Sequence, residues 1–212
     1  MSDARKQKKI ERQATQKIRD EKRMQEDRRN MFRIYGVGAI ALLVLIGAVT
    51  FSMILGQKDK SRLVTAASKP IVGVQTVAGF TRNHTSKRDS FLRVPPMGGD
   101  HSPDFTNCGI YSYQVDSWRA VHSLEHGAVW VTYRPDLPKK QIAVLIDQAK
   151  TRPYEILSPF ADLPSSVVAS AWGKQLKMKS AFDPRLPVFI QAYMQGPQTP
   201  EVGAACTGGV QG

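Results

Sequence analysis

A chain of 212 residues with 42% apolar and 8% aromatic side chains can bury one ordinary core once a long apolar segment is set aside. The net charge of +12 divides evenly, with +6 on residues 1–33 and +6 on residues 58–212. This split argues against a single basic surface for nucleic acid.

Residues 1–33 contain neither proline nor glycine and interleave acids with bases, which predicts a helix. Apolar residues are sparse there (Ile10, Ala14, Ile18, Met24), so no wide face is available for burial. A solvated basic helix near anionic lipid headgroups is the expectation. Ile34 to Leu55 then runs for 22 residues without a charge. As a helix it is roughly 33 Å long, enough to cross a hydrocarbon core of about 30 Å. Residues 34–56 are therefore expected to be a transmembrane helix in the lipid bilayer, an uncleaved signal anchor, because the run exceeds the apolar stretch of a cleaved signal peptide. Seven Lys/Arg lie close on its amino side and four on the other. The expected topology is single-pass in the plasma membrane, with the N-terminus cytoplasmic and the C-terminal domain extracytoplasmic.

Residues 57–79 look like a tether, although Ile71–Val77 is β-prone despite its glycine. Residues 80–212 form the expected outer domain. Thr81–Ser90 is polar and carries His84. Val94–Asp104 is dense in proline and glycine, excluding helix and central strand, and reads as an ordered loop presenting His101. Strands are expected at Ala128–Tyr133, Glu155–Ser158 and Val167–Trp172, with Gln175–Met178 extending or pairing with the last. Helices are expected at Lys139–Lys150 and Arg185–Met194. The fold class is thus α+β: one N-terminal transmembrane helix plus a small extracytoplasmic domain with a mixed β-sheet and at least two helices. The two cysteines, Cys108 and Cys206, both fall on the outer side, where a bridge is permitted. A disulfide holding the C-terminal tail, or two free thiols, are the alternatives.

The densest chemistry lies in Val121–Gly127, with His122, Glu125 and His126. Imidazole and carboxylate are the usual protein ligands of zinc and related ions, so these residues, His101 and the weaker candidate His84 form a candidate site for a divalent metal, zinc or copper. Glu125 is either a fourth ligand or a group that orients one. Met97, Met178 and Met194 would add soft ligands favouring copper, but methionine at such positions is usually core. His122–His126 also fits the H-x-x-E-H pattern in which one helix binds zinc through both histidines and the glutamate is a general base, with Glu201 as a conceivable third ligand. Gly127 and the β-rich run after it work against the helix this pattern needs, and place the stretch at a loop-to-strand junction. The reading therefore favours metal binding over catalysis. A metal-free interaction module with a cell-envelope protein as partner is the first alternative, and a zinc hydrolase the second.

Several linked motifs, Pro95–His101, Asn107-Cys108-Gly109, Val121–Val129, Leu157-Ser158-Pro159, Ala171-Trp172-Gly173, and Pro200-Glu201 followed by Cys206, together resemble the bacterial family catalogued as domain of unknown function 3105. The resemblance spans roughly residues 71–210, and the N-terminal anchor is similar to that of actinobacterial members. Met97 and Gly98 replace the commoner Thr and Ser of the first loop, which changes its hydroxyls and leaves the histidine in place. The resemblance implies an extracytoplasmic, membrane-anchored protein and no established activity.

Overall fold

The structure is a computed structural model that describes residues 3–86 and 94–212. Within the first helix, side chains are described from residue 16 onward, apart from 33–34, 36–42, 55–56 and 58–60. The chain divides into two compact units, Met1–Asp59 and Lys60–Gly212. The first is helical: α1 runs Asp3–Ala67 and includes the apolar run. Among the described residues no helix is long and apolar enough to cross a membrane, so the fold itself does not show the expected transmembrane helix. Part of that run, residues 34, 36–42 and 55, lies outside the residues whose side chains are described. Residues 57–67, expected as tether, continue α1 as helix.

The second unit is built on a mixed six-stranded sheet. Its strands are β1 (Val74–Thr76), β2 (Gly109–Ile110), β3 (Val129–Tyr133), β4 (Glu155–Pro159), β5 (Val167–Ala171) and β6 (Lys174–Met178). They lie in the order β1-β6-β5-β3-β4-β2. β4 runs parallel to β3 and β2, whereas β3–β5, β5–β6 and β6–β1 are antiparallel. Among the described residues three further helices pack with the sheet: α2 (Ser117–Glu125), α3 (Lys139–Ala149) and α4 (Arg185–Tyr193). The α+β class with a mixed sheet is as the sequence implies.

Alternation along the strands explains the layering. On β3, Val129, Val131 and Tyr133 join one core with Leu157, Ala169, Leu176 and Met178, closed by Leu145 of α3 and by Leu186 and Phe189 of α4. Trp130 faces the other way, joining Ile156 and Val168 under Ala120, Val121 and Leu124 of α2. Period-two alternation thus gives each face of the sheet its own helical cover. Because β3 is buried over all five residues, it reads as a continuous apolar run. Met178 belongs to the core under α3 and α4, the ordinary role for methionine.

The sequence predicts a loop-to-strand junction over His122–His126, and here the structure differs. Asp116 accepts a hydrogen bond from the Trp118 backbone N–H at 3.0 Å and caps a helix that continues through Glu125. Its termination is a Schellman arrangement: the Ala128 N–H donates to Ser123 O and the Gly127 N–H to Leu124 O. Gly127 sits at φ +94°, where a side chain is strained. A nine-residue helix escaped notice because its one apolar face, Ala120, Val121 and Leu124, spans little more than a turn.

Cys108 and Cys206 form a disulfide with Cα atoms 5.3 Å apart, bridging residues 98 apart in sequence. Around it the tail is laid onto the domain: the Cys108 N–H donates to Cys206 O at 2.8 Å, Asn107 N–H to Val210 O at 2.9 Å and Tyr154 O–H to Ala204 O at 3.0 Å.

Two stability outcomes follow from these contacts. A Cβ at position 127 would run into the Gln195 side chain and approach Thr199 at 3.0 Å, so Gly127→Ala should cost about 1–3 kcal/mol, measured by urea unfolding. Replacing both Cys108 and Cys206 by serine should cost about 2–5 kcal/mol, because the bridge restrains a long loop in the unfolded chain, and a smaller loss would show that the tail's hydrogen bonds suffice.

Candidate metal centre

Three segments converge on one point. α2 supplies His122 and Glu125, three apart and therefore neighbours on a face beside its buried apolar stripe. The proline- and glycine-rich loop supplies His101, and the segment before it supplies His84. Those last two are held side by side by a parallel bridge, in which the Thr85 N–H donates to His101 O at 2.9 Å and the His101 N–H to Asn83 O at 3.1 Å. The Asp100 carboxylate accepts from the Asn83 backbone N–H at 3.2 Å and Nδ2 at 3.0 Å. The loop is in turn fixed to the β5–β6 hairpin, with Gly173 N–H donating to Met97 O at 2.6 Å and Gln175 Nε2 to Pro95 O at 2.8 Å.

The result is a group of four possible ligands, His84, His101, His122 and Glu125, whose ligand atoms all lie within 4.8 Å of one another. Tetrahedral coordination at about 2.0–2.1 Å sets ligand atoms roughly 3.4 Å apart, so the group is near closure around a single ion. His101, His122 and Glu125 are 0%, 5% and 2% exposed, whereas the His84 side chain is 43% exposed. Trp172 packs edge-on to His101 with centroids 5.9 Å apart, and Phe105 lies 5.7 Å from the His122 ring.

Hydrogen bonding fixes which nitrogen is available. A carbonyl oxygen can only accept, so the contacts His101 Nδ1 to Gly99 O at 2.7 Å and His122 Nδ1 to Ser102 O at 2.8 Å place a proton on each Nδ1. In the neutral ring Nε2 then carries a lone pair, the arrangement usual for metal-bound imidazole. His101 Nε2 stands 2.9 Å from Glu125 Oε2, and His84 Nε2 stands 3.4 Å from the same oxygen. At His101, whose Nδ1 holds the proton, a lone pair facing a carboxylate oxygen at 2.9 Å requires a proton or a cation between the two. The buried Glu125 carboxylate takes its ionic contacts from these histidines rather than from Lys or Arg among the described residues. Burial lowers the His122 imidazole to about 4, helped by His126, His101 and His84 and opposed by its bond to Ser102, so at neutral pH this ring is uncharged. The carboxyl end of α2, the negative pole of the helix dipole, points cation preference the same way.

His126, expected among the ligands, stands outside the group of four. It caps α2, with Nδ1 donating to Ala205 O at 2.7 Å and Nε2 lying 3.5 Å from Glu201 Oε2. Its ring still packs on His122, with centroids 4.6 Å apart. The geometry therefore parts from the H-x-x-E-H pattern: the helix ends before Gly127, and Glu125 lies in the four-residue group with His122 while the second histidine stands outside it. His84, the weakest candidate by sequence, lies within the group instead, because the backbone bridge to His101 carries it there. The aromatic walls and the three carbonyl acceptors were not legible; Phe105 and Trp172 are set apart by nothing local, and a carbonyl has no residue signature.

No curated protein and no solved structure matches the chain. The family model described as protein of unknown function (DUF3105) matches residues 84–208, which includes all four clustered residues and both cysteines. The order of motifs and the extent of this match establish that the chain belongs to the DUF3105 family.

Proposed function

We propose that this protein is a single-pass membrane protein whose outer domain binds one divalent transition-metal ion through His84, His101, His122 and Glu125. The observation that carries the reading is the buried Glu125 carboxylate set 2.9 Å from His101 Nε2, whose Nδ1 proton is committed to Gly99 O, in one cluster with His122, whose Nδ1 proton is likewise committed to Ser102 O. Three nitrogens and one oxygen suit zinc or divalent copper better than magnesium or calcium. Binding is the activity; with one ligand exposed and three buried, the ion is reached from the His84 side.

The anchor rests on sequence: 22 uncharged residues from Ile34 to Leu55, with more cations before than after. The described side chains of Leu43, Val44, Leu45, Ile46, Phe51 and Met53 are exposed along α1, as a lipid-facing helix requires. The disulfide suits an oxidising compartment beyond the membrane.

Purified in detergent and loaded with zinc or copper, the chain is expected to retain stoichiometric metal at the four-residue site. At a hundredfold excess over Kd, metal should stabilise the outer domain by about 2.7 kcal/mol, a rise of roughly 5–10 °C in Tm. His101→Ala should abolish that rise, and Glu125→Gln should weaken binding by at least about tenfold, the loss typical even of groups that only support ligands. Absence of metal from the protein, with an unchanged Tm, would overturn the reading. For the anchor, protease added to intact cells should spare residues 1–33 and reach residues 60–212; the reverse pattern would invert the topology.

A further inference from the structure

His126 and Glu201 present a second pairing of the kind seen at the first site. The Ala205 carbonyl takes the His126 Nδ1 proton at 2.7 Å, which leaves the Nε2 lone pair facing Glu201 Oε2 at 3.5 Å. Two ligands on one tetrahedral ion at about 2.0–2.1 Å stand roughly 3.4 Å apart, so this separation already suits a shared ion. His126 is 9% exposed at its side chain and Glu201 is 47% exposed, so one ligand is buried and water completes the coordination from the carboxylate side.

Both residues are held from more than one direction. The Glu201 N–H donates to Glu125 O at 3.0 Å, which ties the exposed carboxylate to the residue that carries the buried one. Gln195 Nε2 donates to His126 O, and Gln195 Oε1 accepts from the Gly203 N–H at 2.7 Å, clamping the helix end to the tail. Phe105 stacks beside the His126 ring at 4.7 Å and the His122 ring at 5.7 Å, sealing one side of both. With His122 and His126 in ring contact, two ions here would be close neighbours, and the carboxylates of Glu125 and Glu201 would divide their charge.

We infer that His126 and Glu201 form a second, weaker divalent-cation position, open to water and adjoining the four-residue site, so that the domain holds a pair of ions. This extends the metal-binding reading to residues outside its ligand set and can fail independently of it.

The test is a zinc titration of the full-length chain in detergent near neutral pH, with bound zinc counted by elemental analysis and affinities resolved by competition with a chromophoric chelator. Wild type should take two equivalents, the second weaker. Glu201→Gln, a change at an exposed carboxylate, should reduce two equivalents to one without loosening the tight one, and Glu201→Asp should restore part of the second. His101→Ala should lose the tight equivalent. One equivalent in wild type, unaffected by Glu201→Gln, would make the His126–Glu201 contact a plain ion pair and overturn this inference while leaving the four-residue site intact. A single equivalent removed by Glu201→Gln and untouched by His101→Ala would instead support the position proposed here and remove the four-residue site. No bound zinc would overturn both.

Discussion

Glu125 carries its carboxylate at 2% exposure, and the segments packed around α2 converge on that buried group. An isolated carboxylate taken out of water costs far more than a single neutral hydrogen bond returns. Here the compensation is drawn from imidazoles on three segments far apart in sequence. His84 and His101 come from loops before α2, and His122 from its own helix. Bringing them together requires that the loop over residues 94–104 be pinned to β6, that α2 be capped by Asp116, and that the helix stop at Gly127 before its histidines are carried round to the sheet.

The same helix serves two masters. Ala120, Val121 and Leu124 are spent on the sheet face formed by Trp130, Ile156 and Val168, and this packing sets the rotation of α2 about its axis. Once that rotation is fixed, His122 and Glu125 have one direction left in which to point. The apolar core therefore aims the half of the polar cluster that stands on α2, a regular element of the scaffold.

β3 to β6 and the helices α3 and α4 were legible because their apolar content is dense and prolines or glycines bound them, and they fall within a residue or two of where those signals put them. Elements without such signals were not: α2, as long as α4, has nine residues with a mixed face, and β2 has two. Glycine after His126 looked like evidence against a helix, when it marks where one ends; the same residue type supports both inferences, and only the bonds from Ala128 to Ser123 and from Gly127 to Leu124 decide between them. The candidate histidines were identified by residue type, yet their ranking depended on tertiary placement. His84 gained its position through a two-residue bridge to His101, a contact across seventeen positions that no local pattern encodes.

The three carbonyls that hold His101, His122 and His126 belong to Gly99, Ser102 and Ala205. Each ring's tautomer is therefore dictated by main chain alone, and at Ser102 and Ala205 any side chain compatible with the local path would preserve the contact. Gly99, at φ +109°, is held to its identity for a separate reason, its backbone angle. The support of this centre is in that sense blind to amino-acid identity. It is written into the course of the chain, and related sequences compared letter by letter would show the histidines and leave invisible what orients them.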